Sequence, residues 1–322
     1  MCVNPIAIGR ELANNVLDMP PETYLHTARD GASIHCFCWK AENPRATVYI
    51  AHGMGEHALR YERLASALND ASFQVVSNDH RGLGHIANTM GDFGLDGWNR
   101  ILEDMQAIIS NYSNPGPTIL LGHGMGGLMA QQYVTRYSDV DALVLSGSPG
   151  FTPPALLRMG LLVAWWEAIR LGPLKESAFM TRQLFGAPNG AFASNGESTG
   201  FEWLTTDKDA MHRYMKDPWC GFVPFPESLK GMYRGMLSAQ SQQAYMNIPS
   251  TLPVHLFSGS DDPLHRRQTG IRRLIDCWSS TGIKVDQHIY EGGRHELLND
   301  VFFDEVSTDL IDWLNKAVFG SE

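Results

Sequence analysis

The chain has 322 residues, of which 43% are hydrophobic, enough to bury the core of one large domain or of one domain with an insertion. Its formal charge is −10 at pH 7, and this acidic balance argues against nucleic acid and anionic membranes as partners. Five sparse cysteines and an N-terminus without a signal-peptide pattern predict a soluble cytoplasmic protein with free thiols.

Apolar runs of strand length recur along the chain, with helical patterns between them. The first run alternates between apolar and polar residues, as an antiparallel edge strand does, whereas the others are typical of strands covered on both faces. The predicted strands are 32–39, 46–51, 73–77, 118–121, 142–146, 254–258 and 285–290. The predicted helices are 60–69, 98–112, 127–137, 267–278 and 301–318. This alternation predicts a largely parallel sheet with helices on both faces.

The alternation stops between residues 150 and 249, where only helical patterns are found. We therefore predict an α/β core formed by residues 1–149 and 250–322, with a helical cap formed by residues 150–249. Such a cap would lie over the carboxyl ends of the strands, where ligands bind in open α/β sheets. The apolar run 159–166 within it is too short to span a bilayer.

The pentapeptide GHGMG at 122–126 follows an apolar strand and opens a predicted helix. This is the context of a G-x-S-x-G nucleophile elbow, in which a sharp turn presents the central residue above the sheet. Here that central residue is Gly124. Taken alone, the pattern is also compatible with an ordinary tight turn.

Two loops further along the chain supply the other groups that an elbow requires. Asp261 and Asp262 follow the strand 254–258, and His295 follows the strand 285–290, so the order of nucleophile, acid and histidine is kept. The stretch IAHGMGEH at 50–57 is a strand and a glycine-flanked loop, and its backbone N–H groups could stabilise an oxyanion. Met54 and Met125 are the expected donors.

Six motifs give the chain a resemblance to a known family. They are HGMGEHALRY (52–61), NDHRGLGH (78–85), GHGMGG (122–127), DAMHRYMKDPWCGF (209–222), GSDDPL (259–264) and YEGGRHELLND (290–300). The chain resembles the monoacylglycerol lipase and lysophospholipase branch of the α/β-hydrolases, also labelled serine aminopeptidase family S33. The resemblance runs from about residue 24 to residue 313.

The resemblance implies an eight-stranded α/β-hydrolase fold with a cap, and a small-molecule acyl-ester substrate. By this resemblance Asp262, rather than Asp261, is the acid, and His295 is the base. The resemblance implies no metal and no organic cofactor. It also gives Arg60 a supporting role at the oxyanion loop. The chain departs from the family pattern at Leu83, where the family usually has histidine, and at Gly124, where it has serine.

Glycine has no hydroxyl, so attack on a carbonyl by residue 124 is excluded. Activation of water by His295 is the remaining, slow route. Because the other parts of the machinery are present, we favour a deliberate Ser→Gly change in a working esterase or lipase. The alternatives are a natural ligand-binding protein on the hydrolase frame, a hydrolase of amides or lactones, and an error in the sequence.

Further candidates have weaker support in the sequence. Gly53, Trp165 and Trp166 are candidate substrate-binding residues, although the two tryptophans could equally pack the cap onto the core. The same cap segment could make transient contact with lipid surfaces. The histidines near the motif loops lack a metal-ligand spacing, so structural hydrogen bonding is the better account of them.

Overall fold

A computed structural model describes residues 20–112, 116–192 and 198–320 of the chain. Eight strands form one sheet: β1 (Glu22–Thr27), β2 (Ser33–Trp39), β3 (Ala46–Ala51), β4 (Phe73–Asn78), β5 (Thr118–His123), β6 (Ala142–Ser146), β7 (Val254–Gly259) and β8 (Val285–Tyr290). Their spatial order is β1-β2-β4-β3-β5-β6-β7-β8. The six strands from β4 to β8 in this order are parallel, and β1 and β2 are antiparallel to their neighbours.

This sheet confirms the predicted fold class and corrects one strand. The prediction that β2 is antiparallel is confirmed, but its place at the edge of the sheet was wrong, because β1 pairs with it on the outside. The sequence did not reveal β1 because its segment ETYLHT is mostly exposed and carries few apolar residues. The remaining strands lie within a residue or two of their predicted bounds.

Eleven helices accompany the sheet in the described residues. They are α1 (Glu62–Asp70), α2 (Gly97–Tyr112), α3 (Met125–Val134), α4 (Pro154–Leu171), α5 (Ala178–Thr181), α6 (Ala187–Asn189), α7 (Lys208–Lys216), α8 (Pro226–Ala239), α9 (Gln242–Tyr245), α10 (Thr269–Ser279) and α11 (Phe303–Phe319). A π-helical turn, Arg182–Gly186, joins α5 to α6. None of the described helices is both long enough and apolar enough to cross a membrane.

Apolar side chains cover both faces of the sheet and form two cores. Along β3, Val48 and Ile50 enter one core while Tyr49 and Ala51 enter the other, as the two-residue period of a strand dictates. Burial on both faces explains why the central strands are nearly continuous apolar runs.

Between β6 and β7 the described residues contain helices and no strand. In this inserted helical segment, α4 packs along α8, and α8 also contacts α2 and α3 of the core. Residues of this segment line a cavity together with Gly124, so the segment lies at the end of the sheet where β5 ends.

Candidate active site

The turn between β5 and α3 consists of one residue, Gly124. Its dihedral angles are φ +53° and ψ −113°, a conformation that residues with a side chain rarely adopt. Its N–H donates to the carbonyl oxygen of Ser146 at 3.0 Å, which fixes the turn against β6. A side chain at Gly126 would overlap the backbone of Ala51, so the second flanking glycine is required for α3 to approach β3. The local sequence therefore produces a sharp strand-to-helix turn.

The His295 ring lies directly above this turn. A Cβ atom built on Gly124 would be 3.1 Å from His295 Nε2 and 3.9 Å from the Cα of Gly53. A hydroxyl carried by such a Cβ would fall within hydrogen-bonding reach of the imidazole, which is the geometry that a base needs to activate a nucleophile.

The other ring nitrogen of His295 is held by a buried carboxylate. Nδ1 is 3.0 Å from Asp262 Oδ2, and this carboxylate also accepts from Ser258 Oγ at 3.1 Å and from the Leu264 N–H at 2.9 Å. Asp261, the other candidate acid, is exposed, and its N–H donates to the Gly293 carbonyl. The structure thus brings Gly124, His295 and Asp262 together and leaves Asp261 outside.

The electrostatics of this pair favour a charged imidazole beside a charged carboxylate. Burial alone would lower the pKa of His295, but the Asp262 carboxylate and its hydrogen bond, helped by Glu296 and Glu56, raise it above the ordinary value of 6.5. Burial would raise the pKa of Asp262, but the charge and hydrogen bond of His295 lower it. Asp262 is therefore suited to stabilise an imidazolium.

The loop after β3 faces the same point from the other side. Met54 and Met125 both line the cavity at the turn. Met125 is the first residue of α3, so its N–H has no acceptor within the helix and lies at the positive end of the helix dipole. The N–H of Gly53 donates instead to the Glu56 carboxylate, which leaves Met54 as the expected donor from this loop.

A buried ionic network supports both loops, and the sequence indicates only part of it. Glu56 accepts from Tyr61 at 2.7 Å and pairs with Arg60, whose guanidinium also binds Glu296, the neighbour of His295. Burial would raise the pKa of Glu56, but Arg60 and nearby histidines lower it to about 2. The family resemblance points to Arg60 as support for the loop, but it gives no role to Glu56 and Glu296, the two carboxylates that Arg60 joins.

A largely apolar cavity of about 490 Å³ opens at the turn. Gly124, His295 and the loop after β3 form its polar end, and the inserted helical segment forms much of its apolar wall. Its apolar lining includes Leu128, Leu157, Met180, Trp203 and Met236. This volume and polarity are those of a pocket for a small ligand with an apolar arm.

Two predicted substrate contacts lie elsewhere. Trp165 and Trp166 on α4 are about half exposed and are not part of the cavity lining, because they project from the outer face of the helix. Other residues of the same helix, Leu157 and Ala164, are buried in the core. Trp203, which no pattern in the sequence singles out, contacts the His295 ring at a centroid distance of 4.9 Å.

Comparison with known proteins agrees with this architecture. The family described as serine aminopeptidase, S33, matches residues 42–301, which is most of the chain. The chain belongs to the serine aminopeptidase S33 family. A monoglyceride lipase of Mus musculus is 31% identical over 90% of this chain and 88% of its own. A monoacylglycerol lipase of Mycolicibacterium smegmatis is 28% identical over 84% of this chain and 89% of its own.

Among solved structures, a carboxyl esterase from Bacillus coagulans has a similar architecture. The two chains superpose with a TM-score of 0.83 at 24% identity, over 93% of this chain and 99% of the esterase. At this identity the likeness establishes the fold, and the assignment of a reaction rests on the site itself.

Proposed function

We propose that this chain has the active-site architecture of a carboxylic-ester hydrolase. We also propose that Gly124 makes it a protein that binds ester without efficient turnover. One observation carries the proposal: the Cβ position of residue 124 lies 3.1 Å from His295 Nε2, whose other nitrogen is 3.0 Å from Asp262. A triad is recognised by such geometry and by the roles of its members.

In a serine form of the chain, the hydroxyl at residue 124 would attack the acyl carbonyl while His295 takes its proton. The Met54 and Met125 N–H groups would stabilise the oxyanion, and His295 would return the proton to the leaving alcohol. Asp262 would hold the imidazole tautomer and its positive charge. Water would then release the acid and restore the serine. These steps use side chains and backbone groups of the chain and one water molecule.

The substrate class that fits best is an ester with one apolar acyl chain and a small polar head. The cavity supports this, because its apolar wall leads to a polar end containing Gly53, Glu56 and Glu296. The names of the relatives as monoglyceride lipases favour monoacylglycerols among such esters. Residues 150–249 would then act as the cap, and the exposed apolar side chains of α4 would make transient contact with the lipid surface that supplies the substrate.

We infer further that Gly124 replaces serine in a working enzyme by a deliberate change. The support is that one hydroxymethyl group is missing, whereas the His295–Asp262 pair, the turn and the ion network are intact. A natural binding protein on the same frame is the second candidate, and the same geometry also suits amides or lactones. The turn does not distinguish among these bonds, which differ in how the cavity holds the leaving group.

A substrate panel on the Gly124→Ser form tests the proposal. Monoacylglycerols, lysophospholipids, short esters and aminoacyl amides should give turnover that is greatest for the first class. In parallel, titration calorimetry with a monoacylglycerol should show saturable binding to the Gly124 form, with the ester recovered intact. A serine form that folds but cleaves no carboxylic ester would overturn the hydrolase assignment.

A further inference from the structure

Three side chains with metal-ligating atoms meet at a distance from the triad. His35 lies on β2, Asp79 directly follows β4, and His85 lies in the turn after Asp79. One nitrogen of each histidine and a carboxylate oxygen of Asp79 all lie within 4.8 Å of one another. His85 Nδ1 is 2.8 Å and His35 Nδ1 is 3.9 Å from Asp79 Oδ2.

The polar groups of this cluster are incompletely used by the protein. Asp79 Oδ1 accepts from the Ala58 N–H at 3.0 Å, and Oδ2 accepts from the His85 N–H at 2.9 Å, so the carboxylate is firmly oriented. In contrast, His35 Nδ1 is buried and has no hydrogen-bond partner in the described part of the chain. A buried imidazole nitrogen without a partner is unfavourable, and this one faces a carboxylate oxygen.

We propose that His35, Asp79 and His85 form a binding site for a divalent transition-metal ion, with Zn²⁺ as the ion that suits it best. Two imidazoles and one carboxylate are a common zinc donor set, and imidazole ligands disfavour Ca²⁺ and Mg²⁺. Bonds of about 2.0–2.2 Å in tetrahedral geometry place ligand atoms roughly 3.3 Å apart. The observed separations of 2.8 Å and 3.9 Å bracket that value.

Metal binding would require only local changes. His85 would carry its proton on Nε2 and exchange its 2.8 Å ring hydrogen bond with Asp79 Oδ2 for a bond from Nδ1 to the ion. His35 Nδ1, now 3.9 Å from Asp79 Oδ2, would move toward the ion. Both rings are about one-fifth exposed, so solvent reaches the edge of the cluster, although His35 Nδ1 itself is buried. The hydrogen bonds from the backbone N–H groups of Ala58 and His85 to Asp79 would remain and would orient the metal-bound carboxylate. The sequence did not reveal this cluster, because His35 lies on β2, far along the chain from Asp79 and His85, and the three residues have no recognised metal-binding spacing.

Calorimetric titration of the chelator-treated protein with ZnCl₂ tests the site, without dependence on any catalytic activity. We expect one tightly bound equivalent, a rise in Tm of several degrees with Zn²⁺, and a visible ligand-field spectrum with Co²⁺. The variants His35→Gln and His85→Gln should each weaken binding at least about 100-fold, because a ligand is lost.

Two control variants make the result decisive. His288→Gln removes a half-exposed histidine on β8 and should leave the Zn²⁺ titration unchanged. Cys220→Ser removes a donor from the neighbouring group of His57, Asp217 and Cys220, and should also leave the titration unchanged. Absence of a bound equivalent, or binding that survives His35→Gln, overturns the proposal, as does binding lost in Cys220→Ser alone. If His85→Gln does not fold, His35→Gln by itself decides the matter.

Discussion

Introducing a serine at residue 124 should separate the chemistry of the turn from its conformational cost. The backbone of Gly124, at φ +53° and ψ −113°, is readily adopted by glycine, but a side chain there is strained by about 1–3 kcal/mol. The added Cβ would lie 3.1 Å from His295 Nε2, a tight contact that requires a small shift of the ring. The Gly124→Ser protein is therefore expected to be less stable and more active.

The expected gain in catalysis is much larger than the expected loss of stability. Removal of the nucleophilic serine from a serine protease lowers its turnover by about 10⁶-fold, so introducing the hydroxyl here is expected to add up to roughly 8 kcal/mol of transition-state stabilisation. The strain of about 1–3 kcal/mol corresponds to a fall in Tm of roughly 2–10 °C for a chain of this size. The catalytic gain thus exceeds the loss of stability by several kcal/mol.

Gly124→Ala is the matched control, because its methyl group carries the same strain and no hydroxyl. Hydrolysis of p-nitrophenyl esters should be fast for the serine form, barely measurable for the glycine form and slowest for the alanine form. The alanine methyl would occupy the space near His295 Nε2 through which a water molecule could reach the imidazole. Thermal denaturation should give similarly lowered Tm values for the serine and alanine forms. A serine form no faster than the alanine form would refute the triad geometry, and an unchanged Tm would refute the strain.

Three further outcomes follow from the same contacts. In the serine form, Asp262→Asn should lower turnover by about 10⁴-fold, whereas Asp261→Asn should leave it unchanged, as steady-state kinetics would reveal. Because Asp262 raises the pKa of His295 above 6.5, and only the neutral ring accepts a proton, kcat/KM should fall with decreasing pH through a midpoint above 6.5. A midpoint at or below 6.5 would contradict this electrostatic assignment. In urea denaturation, Arg60→Met should cost about 3–5 kcal/mol by leaving two buried carboxylates uncompensated, whereas Arg100→Met, at a partly exposed pair, should cost less than about 1 kcal/mol. Equal costs would show that the buried network does not stabilise the fold.

The sequence predicted the sheet well because burial on both faces imposes long apolar runs on central strands. Strand β1 was missed because an exposed edge strand has no such requirement, and the run ETYLHT carries little signal. Similarly, apolar content alone did not distinguish a helix face turned inward from one turned outward. Trp165 and Trp166 lie on the outer face of α4, whereas Trp203, in a segment with weaker periodicity, contacts His295.

Some residues of the candidate site could be predicted from the sequence and others could not, for a similar physical reason. Gly124, Asp262 and His295 were predictable because each follows a strand, and the carboxyl ends of parallel strands converge at one edge. The roles of Glu56 and Glu296 were not, because they depend on a tertiary contact in which one guanidinium joins loops far apart in sequence. Sequence patterns therefore reveal residues whose positions follow from the ends of strands. They miss side chains whose positions depend on contacts with other side chains.

The buried network also bears on the origin of Gly124. Removing Glu56, Arg60 and Glu296 from water is costly, and replacement of such a cluster by apolar residues is often neutral or stabilising. In this chain the network orients the Gly53 N–H and holds the residue next to His295, so the cost is offset by precise placement of two loops about the turn. Binding of an apolar acyl chain needs no such placement, because the cavity wall supplies the contacts. Acyl transfer does need it, since the donors must meet an oxyanion at hydrogen-bonding distance. The retention of this arrangement around a glycine therefore supports our proposal of a hydrolase that has lost one hydroxymethyl group over a protein built only to bind.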